Sequence, residues 1–581
     1  MRFSPSRAGL LAEPEILETN INRPAAEILK EIQQRQPELL AICCYIWNMT
    51  LVEELLAELP RLLPDCFIVL GGPEVSFNAR ERLNQLPMVD YVICGEGEGS
   101  FVELLSLLTG RIGRTGHIGY AKAGLEAAAL AAIPGLTWRK EGIALQNPIK
   151  EAKEEPPDPF LPEYMEQVAG RMVYVETTRG CPFSCGFCLS GRRGNVRYFD
   201  LNKAKENLLK LAGSGSRTIK LVDRTFNCHP ARSREIIRFL LVGRNSGQIP
   251  PDICFHFEVA ADLFDGETIE LLKEAPQGLF QMEVGLQSFQ EKTLTAVSRK
   301  TDLRKVKENF RQLRKGNNIH LHLDLIAGLP EEDYETFGHS FDQAFDLQPH
   351  MLQLGFLKLL HGSRLRKQSL QHGVEFDPRP PYTVRRTNWL NESDLAALQL
   401  CEDALDRLYN SGRFPATLNY LLAASQSRPF QLFSDIGCFI GSSVGMALEN
   451  YIGAILEFGE RLPGVKKAIL RDCLVMDWLQ TNHVGLLPRC LQIEDPLNGQ
   501  VGRILERLDK EKGVRHNPAL GTRRRYGFGL LYGREQVQVA LADYRRPRPF
   551  LGNYPIKILN INEIILPSVS QPILKFDKNL S

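Results

Sequence analysis

Short apolar runs alternate with amphipathic stretches in the N-terminal part of the chain. Runs interpreted as strands lie at 16–21, 39–47, 66–70 and 91–94, and stretches with helical periodicity lie at 24–34, 51–59, 79–86 and 100–108. Strands that are apolar throughout and alternate with helices are typical of a parallel sheet covered on both faces. The pattern predicts an α/β domain over residues 1–147 that ends in a β-hairpin at 134–145.

A second, longer series follows an exposed linker rich in Glu and Pro at 148–170. Strands are predicted at 172–178, 218–222, 253–259, 280–286, 320–326 and 352–359, with helices at 203–211, 233–241, 267–274, 303–314 and 334–345. Six such units predict a partial (β/α)6 barrel over residues 171–375. Active sites of β/α barrels lie at the carboxyl ends of the strands.

The pattern changes beyond residue 376. An amphipathic helix is predicted at 392–410 with Asn391 as its cap, and residues 376–581 are predicted to form a mostly helical domain of unknown role. The fold class is therefore α/β, with a doubly wound parallel-sheet, flavodoxin-like domain first, a central partial barrel second and a mostly helical C-terminal domain third.

Composition narrows the classes of function. The chain has 581 residues, 43% hydrophobic and 24% charged, and its net charge of +1 gives no electrostatic reason to expect nucleic acid as the main partner. No apolar run reaches the ~20 residues that span a bilayer, and residues 1–14 lack the apolar core of a signal peptide. Thirteen cysteines, an odd number with several in apolar strands, predict free thiols and a cytoplasmic location.

Three cysteines with the spacing C-x3-C-x2-C follow the predicted strand at 172–178: Cys181, Cys185 and Cys188. A structural zinc ion normally takes four protein ligands. Thiolates also suit iron–sulfur clusters, and a four-iron cube has four corners to fill. Three close cysteines therefore favour a cluster with one open iron that can bind a small molecule. Two alternatives stay open: a zinc site completed by Cys228 or His229, and free thiols that lie together.

The stretch from Glu176 to Cys188, ETTRGCPFSCGFC, resembles the signature loop of the radical S-adenosylmethionine enzymes, in which an aromatic residue precedes the third cysteine. The resemblance implies that the three cysteines bind a 4Fe–4S cluster and that Phe187 lies against the adenine of S-adenosylmethionine. In that family the open iron chelates S-adenosylmethionine, and one-electron transfer cleaves it to a 5′-deoxyadenosyl radical.

Four further strand ends resemble the same family. DRTF after the second strand is similar to its DDTF loop, EVGLQS after the fourth to E-x-G-x-Q-S, and DLIAGLP after the fifth to D-x-I-x-G-L-P; the third carries a Glu that is costly in a strand unless it faces a polar pocket. His320 and His322 share one face of the fifth strand and are assigned either to structure or to a substrate pocket. The residues assigned to S-adenosylmethionine are Phe187, Asp223 (its methionine amine), Glu258, Glu283, Gln287, Arg299, Ile326 and Gly328.

Two glycine-rich loops follow strands of the N-terminal domain at the edge where doubly wound sheets bind ligands. Each alone is equally compatible with a tight turn. Together they resemble the cobalamin-binding domain that precedes many radical enzymes, although no D-x-H-x-x-G is present and the chain is expected to begin at the second strand of such a domain. The residues assigned to cobalamin are Gly71, Gly72, Pro73, Glu74, Gly95, Glu96 and Gly97.

The resemblance implies a radical S-adenosylmethionine enzyme with a 4Fe–4S cluster, S-adenosylmethionine and cobalamin as cofactors. Methyl transfer, rearrangement and cyclisation of a small-molecule or peptide substrate are all compatible with it, and the electron donor is expected to be a flavodoxin or ferredoxin. The C-terminal region resembles that of an uncharacterised subfamily of these enzymes. Two alternatives are a radical enzyme without functional cobalamin and a non-catalytic iron–sulfur or zinc protein.

Overall fold

The computed structural model describes residues 14–109, 127–152, 154–191, 195–482, 486–511, 526–544 and 553–565. None of the helices within these ranges is long and apolar enough to cross a membrane.

The N-terminal domain is a mixed sheet with helices on both faces. Its elements are α1 (Ala25–Arg35), β1 (Leu39–Cys43), α2 (Met49–Leu62), β2 (Phe67–Gly71), α3 (Ala79–Gln85), β3 (Tyr91–Ile93), α4 (Gly97–Thr109), α5 (Ala127–Ala132), β4 (Leu136–Lys140) and β5 (Ile143–Gln146). The strands β1, β2 and β3 are parallel, and the predicted hairpin adds β4 and β5 antiparallel to them. Helices α1 to α3 cover one face, and α4 and α5 cover the other. The doubly wound architecture is confirmed.

The strand predicted at 16–21 is wrong. No strand is present among residues 14–24, which make a turn before α1. Asn20 explains the difference, because its side-chain oxygen accepts a hydrogen bond from the Asn22 amide at 2.9 Å and its carbonyl accepts one from the Arg23 amide at 3.2 Å. Asparagine side chains that bind nearby backbone favour turns over strands.

The central domain is a parallel sheet of six strands. The linker helix α6 (Pro162–Met165) precedes β6 (Met172–Val175), β7 (Thr178–Gly180), β8 (Val196–Tyr198), α7 (Leu201–Ala212), β9 (Thr218–Leu221), α8 (Pro230–Asn245), β10 (Cys254–Val259), α9 (Gly266–Lys273), β11 (Phe280–Gln287), α10 (Glu291–Ala296), α11 (Leu303–Gly316), β12 (His320–Ala327), α12 (Tyr334–Phe345) and β13 (Met351–Phe356). The strand order β6-β9-β10-β11-β12-β13 is that of a partial barrel. All six predicted strands are present.

The two faces of this sheet differ in polarity. On β12, Leu321, Leu323 and Leu325 are buried against the helices, while His322 and Asp324 alternate with them on the concave face. Each fully buried leucine contributes roughly 2 kcal/mol to folding. The apolar face therefore holds the barrel together, and the concave face is left for polar side chains.

The C-terminal part contains α13 (Arg364–Lys367), β14 (Glu375–Phe376), β15 (Val384–Arg386), α14 (Glu392–Leu405), α15 (Pro415–Ser425), α16 (Pro429–Ile440), α17 (Leu448–Arg461), α18 (Lys467–Thr481), α19 (Pro496–Glu511), β16 (Tyr526–Leu531), β17 (Gln538–Asp543), β18 (Ile556–Asn560) and α20 (Ile561–Ile565). The Asn391 cap is confirmed: its Oδ1 atom accepts a hydrogen bond from the Asp394 amide at 2.9 Å. Strands β16 to β18 add an antiparallel sheet to the helices.

Candidate functional site

The three cysteines lie on a hairpin at the carboxyl end of β6. The predicted strand 172–178 divides in two: β6 ends at Val175, and β7 then pairs antiparallel with β8, so that the cysteine loop connects β7 to β8. Gly180 closes the base of this loop with φ +105°, and a Cβ there would lie 2.2 Å from the Asn195 carbonyl oxygen. Only glycine fits this position.

Asp223 anchors the base of the hairpin from β9. Its Oδ1 atom accepts hydrogen bonds from the amides of Thr177 at 2.7 Å and Thr178 at 3.0 Å, and its Oδ2 atom accepts one from the Thr177 hydroxyl. Burial raises the pKa of this carboxyl to about 6, and the bonds from Thr177 and Thr178 oppose that shift. The side chain is 1% exposed. Asp223 therefore lies at the base of the cysteine hairpin, bonded to Thr177 and Thr178.

Each cysteine sulfur has a polar neighbour. The Arg299 guanidinium donates to Cys185 Sγ at 3.5 Å, and the Ser190 amide donates to Cys188 Sγ at 3.4 Å. The Thr225 hydroxyl lies 3.5 Å from Cys181 Sγ. Hydrogen bonds to sulfur are one means by which proteins set the potential of an iron–sulfur cluster. The surroundings of all three thiols therefore fit the predicted cluster.

The three thiols also interact electrostatically. Burial raises the pKa of the Cys185 thiol, Arg299 opposes this, and the nearby Cys188 and Cys181 add to the rise. Within the described ranges, no group of three or more His, Cys, Asp and Glu side chains is arranged to hold a metal ion. The fourth ligands considered for zinc have other contacts.

Those two residues lie after β9. Cys228 Sγ is 3.5 Å from the Tyr198 hydroxyl, and His229 Nδ1 accepts a hydrogen bond from the Arg232 amide at 3.2 Å, which caps α8. Burial raises the pKa of the Cys228 thiol, and the nearby Cys181 and Asp223 add to the rise, so Cys228 lies near the cysteine loop. Its sulfur contacts the Tyr198 hydroxyl and not a second metal ligand.

The residues before the third cysteine are fixed by backbone contacts from two other strand ends. The Gly186 amide donates to the Val297 carbonyl at 2.7 Å, and the Gly186 carbonyl accepts from the Leu365 amide at 2.8 Å. Phe187 follows directly and packs, half-buried, against the barrel core. The loop is therefore tied to the segments after β11 and β13.

Strand β11 presents Glu283, Gly285 and Gln287 on the concave face. Gln287 has φ +82°, and the register with β12 shifts between Gly285 and Gln287. A Cβ at position 285 would lie 2.7 Å from the Gln287 Nε2 atom, so the glycine makes room for this amide. A non-glycine residue in the left-handed region is a strained feature that concentrates at functional sites. Arg299 Nη2 donates to the Gly285 carbonyl and joins this strand to the cysteines.

A row of charged side chains crosses the concave face at the level of Glu283. The Lys220 Nζ and His256 Nε2 atoms each lie 3.0 Å from Glu283 Oε2. Burial alone would raise the pKa of Glu283, but the contact with His256 and the charge of Lys220 outweigh it and hold the pKa at about 2. Glu258 lies 3.7 Å from Lys220 and 3.8 Å from Arg224, and burial raises its pKa. Glu283 is thus an anion at neutral pH.

Strand β12 completes this face. His322 Nε2 lies 2.9 Å from Asp324 Oδ1. Burial lowers the pKa of His322, but the Asp324 contact outweighs it and the net direction is upward. Ile326 lies half-buried on the same face, and Gly328 follows with φ +91°, where a Cβ would lie 2.7 Å from Val384 Cγ1. The structure brings Glu258, Glu283, Gln287 and Ile326 onto one surface; His320 lies lower on it, stacked on His350 with ring centroids 5.2 Å apart.

The first glycine loop of the N-terminal domain packs on its own neighbours. A Cβ at Gly72, which has φ +108°, would lie 2.5 Å from the Cys44 carbonyl oxygen, so the loop needs glycine for close contact with the segment after β1. The buried Ser76 hydroxyl donates to the Gly72 carbonyl at 2.8 Å and accepts from the Gly95 amide at 3.1 Å. Ser76 thereby joins the two glycine loops.

Glu74 and Glu96, both assigned to cobalamin from the sequence, carry carboxylates that contact other residues. Glu74 accepts from Arg82 at 3.2 Å and from the hydroxyl of Tyr382, which lies between β14 and β15. Glu96 accepts from Arg179, between β6 and the first cysteine, at 2.8 Å. Both carboxylates therefore pair with groups outside their own glycine loops.

The two domains meet at their ligand-binding edges. The segment that follows β2 contacts Tyr382, between β14 and β15, and the segment that follows β3 contacts Arg179 on β7. The loop after β3 therefore lies against the hairpin that carries the cysteines.

Sequence reasoning missed an aromatic pair in the loop after β1. Tyr45 and Trp47 follow β1 and stack with ring centroids 4.4 Å apart, and Trp47 is 62% exposed. They were assigned to the strand 39–47, but β1 ends at Cys43 because the Asn48 side chain binds the Cys43 carbonyl at 2.9 Å and the Tyr45 amide at 2.7 Å. Asn48, which directly follows this apolar run, was the available signal.

Three family models match the chain. The B12 binding domain matches residues 8–105, the Radical SAM superfamily matches residues 175–344, and a protein of unknown function (DUF4080) matches residues 370–517. The chain therefore contains a radical SAM domain, with a B12-binding domain before it and a DUF4080 domain after it. The cofactors predicted from the sequence, a 4Fe–4S cluster, S-adenosylmethionine and cobalamin, are those of the matched domains.

The sequence of the chain is similar to those of several curated proteins. The chain is 26% identical over 395 residues to the cobalamin-dependent radical SAM methyltransferase TokK of Streptomyces tokunonensis, covering 64% of this chain and 54% of that protein. It is 28% identical over 344 residues to 2-(S-pantetheinyl)-carbapenam-3-carboxylate methyltransferase of Streptantibioticus cattleyicolor, covering 56% and 46%. An anaerobic magnesium-protoporphyrin IX monomethyl ester cyclase of Cereibacter sphaeroides is 23% identical over 331 residues, covering 56% and 52%. The chain spans about half the length of these relatives.

Among solved structures, the cobalamin-dependent S-adenosylmethionine radical enzyme OxsB with aqua-cobalamin bound superposes with a TM-score of 0.51 at 13% identity. The superposition covers 79% of this chain and 73% of that chain. The likeness concerns the fold alone.

Proposed function

We propose that this chain is a cobalamin-dependent radical S-adenosylmethionine enzyme that acts on an unactivated carbon, with methyl transfer as the favoured reaction. The observation that carries the proposal is the contact between the two domains: Glu96, in the second glycine loop of the B12-binding domain, pairs with Arg179 and Arg197 on the hairpin that carries the three cysteines. When bound, the cofactors supply reductive cleavage of S-adenosylmethionine, a 5′-deoxyadenosyl radical and a transferable methyl group. Two of the relatives named above are methyltransferases and one is a cyclase, so cyclisation is the second candidate.

The chain's own residues bind and orient these groups. Cys181, Cys185 and Cys188 would hold the cluster, with Arg299 directing a donor at one sulfur. The remaining residues proposed for S-adenosylmethionine line the concave face or its rim: Phe187, Glu258, Glu283, Gln287, Ile326 and Gly328. Asp223 is proposed to act through the backbone of the cysteine hairpin.

For cobalamin we propose backbone contacts from the two glycine loops, at Gly71, Gly72, Pro73, Glu74, Gly95, Glu96 and Gly97. The domain boundaries proposed are 1–147, 148–170, 171–375 and 376–581, and a flavodoxin or ferredoxin is proposed as the electron donor.

Because Glu283 is anionic and cationic groups lie on either side of it, the concave face can accept both kinds of charge.

The substrate proposed for this face is polar. Lys220, His256, His322 and Asp324 line it together with Glu283. Covering such groups with hydrocarbon costs free energy, because their hydrogen bonds to water are not replaced. The lining therefore favours a substrate that carries hydrogen-bonding groups.

The test is anaerobic. The cluster is reconstituted in the full chain, dithionite and S-adenosylmethionine are added, and 5′-deoxyadenosine is measured together with iron content and the absorbance of bound hydroxocobalamin. We expect the nucleoside from the wild type and none from Cys185→Ala, with Cys438→Ala, an exposed cysteine far along the chain, behaving as the wild type. A wild-type protein that holds about one zinc and no iron would overturn the proposal.

A further inference from the structure

The cysteine hairpin is held at both ends by one carboxylate of the N-terminal domain. Glu96 Oε2 accepts from Arg179 Nη1 at 2.8 Å and from Arg197 Nη2 at 2.7 Å. Arg179 lies on β7 and Arg197 on β8, directly opposite each other in the strand register. The three residues are called the interdomain clamp below. The clamp binds the two strands, β7 and β8, that flank the cysteine loop.

The clamp is shielded from water. The side chains of Glu96, Arg179 and Arg197 are 20–23% exposed. Burial alone would raise the pKa of Glu96, but Arg197 and Arg179 outweigh it and the pKa is lowered. Two more carboxylates, Glu98 at 3.0 Å and Glu176 at 2.7 Å, complete the charge around Arg179. Removing the Glu96 charge takes a partner from both arginines, and breaking a shielded ion pair in this way is destabilising.

The clamp continues into the glycine loops. The residue before Glu96 is Gly95, whose amide donates to Ser76 Oγ at 3.1 Å, and Ser76 in turn donates to the Gly72 carbonyl at 2.8 Å. A continuous chain of bonds therefore runs from the first glycine loop, through the second, to the cysteine hairpin. A ligand that orders these loops has a physical route to the hairpin.

We propose that Glu96 is a positioning residue that couples ligand binding at the two glycine loops to the order of the cysteine hairpin. The proposal rests on the proposed function in one respect, that cobalamin is the ligand of the glycine loops. Coupling of this kind is reciprocal, so a cluster bound by the hairpin also strengthens cobalamin binding by the same factor.

The experiment measures amide hydrogen exchange of β7 and β8 in the full-length protein before cluster reconstitution, with and without hydroxocobalamin. The variants are Glu96→Gln, which keeps the shape and removes the charge, and Glu103→Gln, the same change at an exposed residue of α4. In the wild type and Glu103→Gln we expect hydroxocobalamin to slow exchange of β7 and β8 by about tenfold or more. In Glu96→Gln we expect no such slowing, with exchange of β10 to β12 unchanged.

A double-mutant cycle separates coupling from a general loss of structure. If Glu96 acts through the clamp, Arg197→Gln removes the same slowing and the double variant is no worse than either single variant. Hydroxocobalamin that slows β7 and β8 in Glu96→Gln as it does in the wild type would overturn the proposal. So would additive effects of the two substitutions.

Failure of the proposed function has a different signature. If the absorbance of hydroxocobalamin shows no binding to the wild type, its role as ligand fails. Hydrogen exchange without ligand then tests whether the clamp orders the hairpin. We expect β7 and β8 to exchange faster in Glu96→Gln than in Glu103→Gln, and equal rates in the two variants would overturn the role of Glu96.

Discussion

The Nη1 atom of Arg299 lies 3.5 Å from the sulfur of Cys185, while Nη2 of the same guanidinium donates to the Gly285 carbonyl. One side chain thus joins the cysteine loop to the strand that carries Glu283 and Gln287. The ring of Phe183 supports the guanidinium, with its centroid 5.7 Å from the Arg299 Cζ atom. A planar fork with several donors can bind in two directions at once, which a lysine cannot do.

Replacing Arg299 with Gln is expected to lower the rate of 5′-deoxyadenosine formation by about tenfold to a hundredfold, the usual effect of removing a group that supports a metal ligand. The loss of a donor to sulfur is also expected to make the cluster harder to reduce. A potentiometric titration followed by electron paramagnetic resonance measures the second effect. Lys300→Gln makes the same charge change at the next, exposed residue and serves as the control; equal potentials for the two variants would contradict the assignment.

Gly285→Ala tests the geometry around Gln287. The added Cβ would lie 2.7 Å from the Gln287 Nε2 atom and must displace that amide. Because a displacement of about 1 Å near a reacting group can cost about a hundredfold in rate, we expect nucleoside formation to fall at least tenfold by the same principle, with iron content unchanged. Gly266→Ala, where nothing lies within 4 Å of the new Cβ, is the control. Full activity in Gly285→Ala would show that the amide has no role.

Asp223→Asn distinguishes two roles for this carboxyl. If it anchors the hairpin, the NH2 group of Asn faces the donors of Thr177 and Thr178 and leaves them unsatisfied. The free energy of unfolding then falls by about 1–3 kcal/mol, and the iron content after reconstitution falls as well. If it contacts S-adenosylmethionine instead, KM rises and stability is kept. Urea denaturation, iron content and KM are compared with those of Asp252→Asn, an exposed aspartate.

The pH dependence of stability is expected to carry a contribution from Glu332. This residue is 1% exposed, and burial raises its pKa to about 7 against the bonds donated by Ser288 and Ser340. A folded pKa above the unfolded value of 4.5 means that the contribution is full below pH 4.5 and is lost as pH rises through about 7. The loss amounts to roughly 3 kcal/mol at 1.36 kcal/mol per pKa unit.

Glu332→Gln removes this titration. Denaturation midpoints in urea are measured for both proteins at pH 5 and pH 8, so that every other titrating group cancels in the difference. We expect the variant to gain on the wild type between the two pH values. A difference that stays constant with pH would contradict the raised pKa.

Much of the architecture followed from local patterns. Alternation of apolar strands and helices is a local property, because a parallel strand buried on both faces must be apolar throughout; the six barrel strands and the hairpin at Glu141 and Gly142 were therefore predictable. The cysteine spacing and the motifs at four strand ends are local as well, and they sufficed to name the cofactors.

Contacts between distant segments could not be predicted in this way. Three examples join residues that are far apart in the chain: the bond between Glu74 and Tyr382, the bonds of Glu96 to Arg179 and Arg197, and the bond of the buried Asp223 to Thr177. A glutamate in a glycine loop has the same local pattern whether it faces a cofactor or an arginine of another domain. Which of the two it meets depends on how the domains pack, and that packing is set by the sum of many surface contacts that no short stretch of residues encodes.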